Sequence, residues 1–397
     1  MRKTFHLMHT NEQHFPGIFE PFLLRGHQLQ NRLAVAPMSR VSATAEGVPA
    51  SIMQAYYEAF AKGGFSMIIT EGIYTDTAAA QAYPLQPGLA TPAQRQGWQQ
   101  IVRRVKQHGT LFIAQLMHAG AISQHLQHTQ APSAIQPSGR KMPEYGGGGG
   151  PFPVPKAMTE PDIAVAQQGF IDAAQQALAA GFDGVEIHAA NGYLLDQFLT
   201  DYTNTRQDAY GRTMANRFRI ISAIIAGIRA VVPAAFIVGL RLSEGKVNHL
   251  HYRWPGGAAT ARELLAEVAR AQPDYVHIAA ESGHWQRDCM YADGTSFTRL
   301  AKEIVNVPVI ANGGLHQPAL ARQVLAGSHA DLLALGKAAI ANPDWPARVQ
   351  RGESTVPFHA GMIKPSASIM HTWQVMTEQP LQANSSRVNP GSLVGQA

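Results

Sequence analysis

The chain has 397 residues, 45% hydrophobic and 15% charged, which supplies a large core and excludes a disordered protein. Its net charge of +5 includes no run of lysines or arginines, and no aromatics are interleaved with bases, so no nucleic-acid partner is expected. The single cysteine, Cys289, excludes an intrachain disulfide and any CxxC metal site.

Residues 1–17 have no apolar core of signal-peptide type, and no apolar stretch is long enough to span a bilayer. A soluble, cytoplasmic protein is the expectation. In chain order, FLLRGHQLQNRL reads as a small hairpin turning at Arg25-Gly26, which would plug the bottom of a barrel. Eight strand-like runs follow, each trailed by a helix-like stretch. They are Leu33–Met38, Met67–Gly72, Leu111–Met117, Gly184–His188, Phe236–Ser243, Tyr275–Ala280, Pro308–Gly314 and Ala330–Gly336. This alternation predicts a parallel sheet covered by helices. Eight units in this length predict an α/β fold, a (β/α)8 TIM barrel occupying residues 1–351. An open dinucleotide-binding sheet would carry GxGxxG after its first strand, and none is present.

After the third run comes a long insertion, about residues 120–159, with five consecutive glycines, Gly146–Gly150, followed by alternating prolines. Such a segment is no regular element, and its position beside the strand ends suggests a lid. From residue 352 the pattern fades, and the tail 352–397 is expected to be partly disordered or packed on the barrel.

Polar residues gather at the C-terminal ends of the runs: Ser39, Glu71, His118, His188, Arg241, Asn312 and Lys337. Barrel enzymes place their chemistry there. The fourth run leads into His188, Asn191 and Tyr193. Histidine and asparagine can hold an oxygen that gains negative charge, and tyrosine can deliver a proton. Together they suggest reduction of a double bond conjugated to a carbonyl. The seventh and eighth runs end in IANGG and LGKAAIANPDW. Their Asn312, Gly313, Gly314, Gly336 and Lys337 suit a phosphate held on backbone N–H groups. The 17 histidines include no HxxxH on a helix with a carboxylate between, so no metal is expected. NTRQDAYGRTMANR, with Asp208, Arg212, Asn216 and Arg217, reads as structural.

The stretch HAANGYLLDQFL, with NTRQDAYG and NR behind it, resembles the Old Yellow Enzyme family of FMN-dependent ene-reductases. APMSR, ITEG, AQLMHAG, ANGG and ALGKAAIANPDW fall in that family's order between Phe19 and Trp345. The resemblance is to single-barrel members without the cysteine-rich iron–sulfur extension. It implies tightly bound FMN, with NADPH or NADH as reductant, and small α,β-unsaturated carbonyl or nitro compounds as substrates. Gln115 would bond the pyrimidine edge of FMN, and Arg241 would lie near its N1–C2 region. Pro37, Met38, Ser39 and Gly72 would line the ring, and Asn312, Gly313, Gly314, Gly336 and Lys337 the phosphate side. His188 and Asn191 would hold the substrate oxygen, Tyr193 would protonate the α carbon, and His118 would contact substrate and ring edge. Two departures stand out. Lys337 replaces the family's usual arginine, keeping the charge without the fork, and Ala121 follows Gly120 where arginine is common. Family members occur as monomers and homodimers. The alternatives are a related FMN barrel dehydrogenase or demethylase, and a flavin-free phosphate-binding aldolase or isomerase. The latter would need Lys337 or Glu71 as its reactive group.

Overall fold

The computed structural model describes residues 17–378. The hairpin pairs β1 (Phe22–Leu24) with β2 (His27–Leu29). Its turn residues Arg25 and Gly26 have φ of 49° and 84°, the left-handed pair that a two-residue hairpin requires.

Eight parallel strands then close a ring: β3 (Leu33–Val35), β4 (Met67–Ile69), β6 (Leu111–Met117), β9 (Gly184–Asn191), β10 (Ile237–Lys246), β11 (Tyr275–Ile278), β12 (Val309–Asn312) and β13 (Leu332–Leu335). β13 pairs with β3, which completes the (β/α)8 barrel. The short β5 (Ile73–Tyr74) pairs with the far end of β6. Every residue of these eight strands is buried, because helices cover the outside and side chains fill the inside. Helix starts follow local rules. Thr91 and Thr159 form capping boxes with Gln94 and Asp162 for the helices Pro92–Lys106 and Glu160–Ala180.

Alternation along each strand divides the core in two. On β6, Phe112, Ala114 and Leu116 pack outward against helices. Leu111 and Ile113 point into the barrel with Met67, Ile69, Ile237, Tyr275 and Ile310, and Leu24 and Leu29 of the hairpin join them. The hairpin therefore plugs the N-terminal end with apolar side chains. Higher in the barrel the inward residues become polar. Gln115, Glu186, Gly239 and Tyr275 are successive register neighbours across β6, β9, β10 and β11. Gly239 must lack a side chain, since a Cβ there would stand 2.1 Å from the Tyr275 ring.

The insertion holds single helical turns at Gly120–Ile122 and Pro143–Tyr145 and the two-residue strands β7 (Gln130–Ala131) and β8 (Lys156–Ala157). Part of the tail packs on the barrel. Arg40, only 1% exposed, donates to the carbonyls of Ala367 and Ser368 and to Thr372 Oγ1. This anchors the helix Ile369–Glu378. Residues 1–16, to which the expectation about a signal peptide applied, and 379–397 of the tail lie outside the described residues. Among the described residues no helix is long and apolar enough to cross a membrane.

Candidate active site

A cavity of about 430 Å³ opens at the C-terminal end of the barrel, within the range of small-ligand sites. Fourteen of the fifteen site residues singled out above line it: Pro37, Met38, Ser39, Gly72, Gln115, His188, Asn191, Tyr193, Arg241, Asn312, Gly313, Gly314, Gly336 and Lys337. His118 does not. It follows Met117, an inward residue, so alternation turns it outward. There its Nε2 lies 3.7 Å from Asp76 and its Nδ1 accepts the backbone N–H of Gly120. The contact expected between His118 and ring or substrate is therefore corrected. Glu71 is also absent from the lining. Its carboxylate accepts from Arg40 N (2.9 Å) and Tyr57 Oη (3.2 Å), and burial pushes it up to about 7.

His188 and Arg241 are register neighbours on β9 and β10, and Arg241 is in register with His277 on β11. Burial, followed by the positive charge of Arg241 and then by the neighbouring His277, holds His188 well below its ordinary pKa, so it is neutral at pH 7. Asn191 ends β9 with φ of 63°. Ser243 Oγ accepts from its N–H at 2.8 Å. The following Gly192 donates to Asp196 at 2.6 Å, and Asp196 forms a buried ion pair with Lys246 at 2.7 Å. Lys246 also lies 5.0 Å from the centre of the Tyr252 ring. This clamp fixes the turn that carries Asn191 and Tyr193 into the cavity.

Tyr193 lies with its ring centre 5.0 Å from that of His188. Its phenol oxygen is 2.5 Å from that of Tyr83, and Tyr83 stacks on Tyr145 of the insertion with centroids 4.7 Å apart. Burial raises Tyr193 above the usual tyrosine range, and the bond from Tyr83 opposes that rise. Tyr83, Tyr145, Met142 and Glu281 line the cavity too, as do Ile363 and Ala367 from the tail. None was expected. Glu186, two residues before His188 on the same strand face, had a readable signal in that spacing. Tyr83 and Tyr145 lie in irregular segments and had none.

In the polar segment behind the site, Asp208 accepts from Arg206 and from Tyr210 N. Arg212 donates to Gln207 and Asn216 accepts from Arg219. Arg217 differs from expectation, since its buried Nε has no partner.

The sequence model of the NADH:flavin oxidoreductase / NADH oxidase family matches residues 17–355. The chain belongs to this family. It is 32% identical to flavin oxidoreductase hxnT of Emericella nidulans over 364 residues, covering 84% of this chain and 90% of that one. Among solved structures it resembles the old yellow enzyme homologue from Zymomonas mobilis, at TM-score 0.79 and 26% identity over 92% of this chain and 100% of that chain. It also resembles morphinone reductase in complex with tetrahydroNAD, at TM-score 0.77 and 30% identity over 90% and 96% of the two chains. As a member of the Old Yellow Enzyme family, the protein is a flavin oxidoreductase with FMN as cofactor and NADH or NADPH as reductant.

The cavity fits that cofactor. Arg241 Nε, His188 Nδ1 and Asn191 Oδ1 are buried there without a partner. A buried donor without an acceptor, such as Arg241 Nε, is costly, and an electron-rich ring edge would satisfy it. Gly313 and Gly314 adopt φ of 105° and 77°, exposing backbone to the cavity beside Lys337.

Proposed function

We propose that this member of the family reduces C=C bonds activated by a carbonyl or nitro group. One observation carries the reading: His188, Asn191 and Tyr193, all from the end of β9, line the same cavity as Arg241, whose Nε has no partner. FMN held there would supply two-electron hydride chemistry between NAD(P)H and the β carbon of the acceptor. Gln115 and Arg241 would hold its pyrimidine side, and Pro37, Met38, Ser39 and Gly72 would flank the ring. Asn312, Gly313, Gly314, Gly336 and Lys337 would grip the phosphate end.

The chain's own part is polarisation and proton delivery. His188, kept neutral by burial and by Arg241, donates to the substrate oxygen together with the Asn191 amide. Preorganised donors of this kind stabilise the charge that develops on that oxygen. Tyr193, kept protonated by burial, gives its proton to the α carbon. With Tyr83 as the donor of their shared hydrogen bond, the Tyr193 proton is free to point elsewhere, and the same bond stabilises the phenolate left behind.

Rapid mixing of the separate half-reactions tests the reading. The purified protein should be yellow, release FMN on denaturation and be reoxidised by cyclohexenone. His188→Ala and Asn191→Ala should weaken substrate binding and alkene reduction together, by roughly 10² to 10³ as for lost oxyanion donors, while reduction by NAD(P)H persists. Reduced flavoprotein that no enone, nitroalkene or maleimide reoxidises would sink the proposal.

A further inference from the structure

Beneath the cavity lies a buried carboxylate that the proposed chemistry does not use. Glu186 is completely buried at the centre of a polar cluster inside the barrel. Its Oε1 accepts from Gln115 Nε2 at 2.8 Å. Its Oε2 accepts from Tyr275 Oη at 3.1 Å and lies 3.0 Å from His277 Nδ1. Burial pushes its pKa up, but His277, Arg241 and the Gln115 bond outweigh that and hold it below the ordinary glutamate range. Glu186 is thus an anion at pH 7 and can only accept.

That single fact assigns the protons around it. Gln115 must turn its amide nitrogen toward Glu186, so its carbonyl Oε1 and second N–H remain for the cavity. His277, lowered by burial and therefore neutral, must carry its proton on Nδ1, leaving Nε2 to accept. Asn312 Nδ2 stands 3.5 Å from that Nε2, and Asn312 Oδ1 accepts from Ala280 N at 2.6 Å. The two contacts demand the same orientation of the Asn312 amide. Gln115 and Asn312 both line the cavity, and both are oriented from one carboxylate.

We propose that Glu186 is a positioning residue that presents Gln115 to the cavity as an acceptor beside a donor, the complement of the N3–H and carbonyl edge of a flavin. The proposal rests on the reading of the cavity as an FMN site. Without the carboxylate the Gln115 amide is free to flip, and an N–H would then meet N3–H. The same buried charge attracts Arg241. Removing it leaves Arg241 less compensated and favours the reduced, more negative flavin.

The test compares FMN with 3-methyl-FMN, which lacks the N3 proton, on apoprotein prepared by removing the native flavin. Wild type should bind the methylated analogue at least tenfold more weakly. Glu186→Gln should bind FMN at least tenfold more weakly than wild type, discriminate little between the two flavins, and shift the potential of bound FMN positive. Tenfold tighter relative binding of the two-electron reduced form corresponds to about 30 mV. In a Gln115→Leu background, Glu186→Gln should change FMN affinity little, since coupled residues fail to add. A merely structural Glu186 would give additive losses and unchanged discrimination, and either result would overturn the proposal. If Glu186→Gln does not fold, wild-type protein alone still decides, because equal affinity for the two flavins would refute an accepting Gln115 oxygen. Wild-type apoprotein that binds neither flavin would instead refute the FMN site itself.

Discussion

Tyr83 and Tyr193 share a hydrogen bond of 2.5 Å between their phenol oxygens, although 110 residues separate them in the chain. The pair joins the loop after β5 to the turn after β9, and it makes the proposed proton donor part of a two-hydroxyl unit. Tyr83→Phe removes the donor that stabilises the Tyr193 phenolate. A hydrogen bond to a charged group is worth about 1.5–3 kcal/mol, so enone reduction should slow about 10- to 100-fold, with reduction by NAD(P)H unchanged. Tyr193→Phe should cost more, roughly 10² to 10⁴, as for a lost general acid. Half-reaction kinetics with cyclohexenone measure both. A Tyr83→Phe enzyme as fast as wild type would remove Tyr83 from the mechanism.

The buried pair Asp196–Lys246 should behave as a unit. Lys246→Met strands a buried carboxylate, at a cost of about 3–5 kcal/mol. It also loosens the turn after Asn191. Chemical denaturation should show this loss, and the double variant Lys246→Met/Asp196→Asn should recover most of it, because no charge is then stranded. Equal stability of the single and double variants would contradict the pairing.

The contribution of Glu71 and Glu281 to stability should fall as pH rises from about 4.5 toward 7, opposite in sign to that of the buried neutral His188 and His277. Burial raises Glu71 and Glu281 from 4.5 to about 7, so in this window the folded chain binds more protons than the unfolded one, and the stability present below 4.5 is lost as pH climbs through 7. The Glu71 part is on the order of 2–3 kcal/mol. Glu71→Gln should remove its part of this fall, leaving the Glu281 part. Melting curves between pH 5 and 8 check this, and an identical slope in the variant would show that Glu71 ionises normally.

Tyr145, stacked on Tyr83 at the edge of the insertion, should govern which substrates enter. Tyr145→Ala removes an aromatic pair worth about 0.5–1.5 kcal/mol. The ratio of kcat/KM between bulky and small enones should change roughly 2- to 10-fold, with FMN affinity unaffected. A uniform change across substrates would make the loop a passive cover.

The sequence by itself determined the eight strands, the hairpin turn at Arg25-Gly26 and the residues at the strand ends, because apolar runs, the two-residue alternation of a strand and turn chemistry are local properties. The same period carried information about facing: Glu186 lies in step with His188, and His118 falls out of step with Gln115 and Met117. What only the tertiary structure decided was company. Ring closure sets Gln115 beside Glu186 and His188 beside Arg241. It also brings Tyr83 and Tyr145, from segments without periodicity, onto Tyr193. Arg40 and Ala367, 327 residues apart, meet because a buried guanidinium needs carbonyl acceptors, and that contact turns part of an unpatterned tail into a wall of the cavity. Such pairings depend on which strands become neighbours when the barrel closes, and no local spacing encodes that.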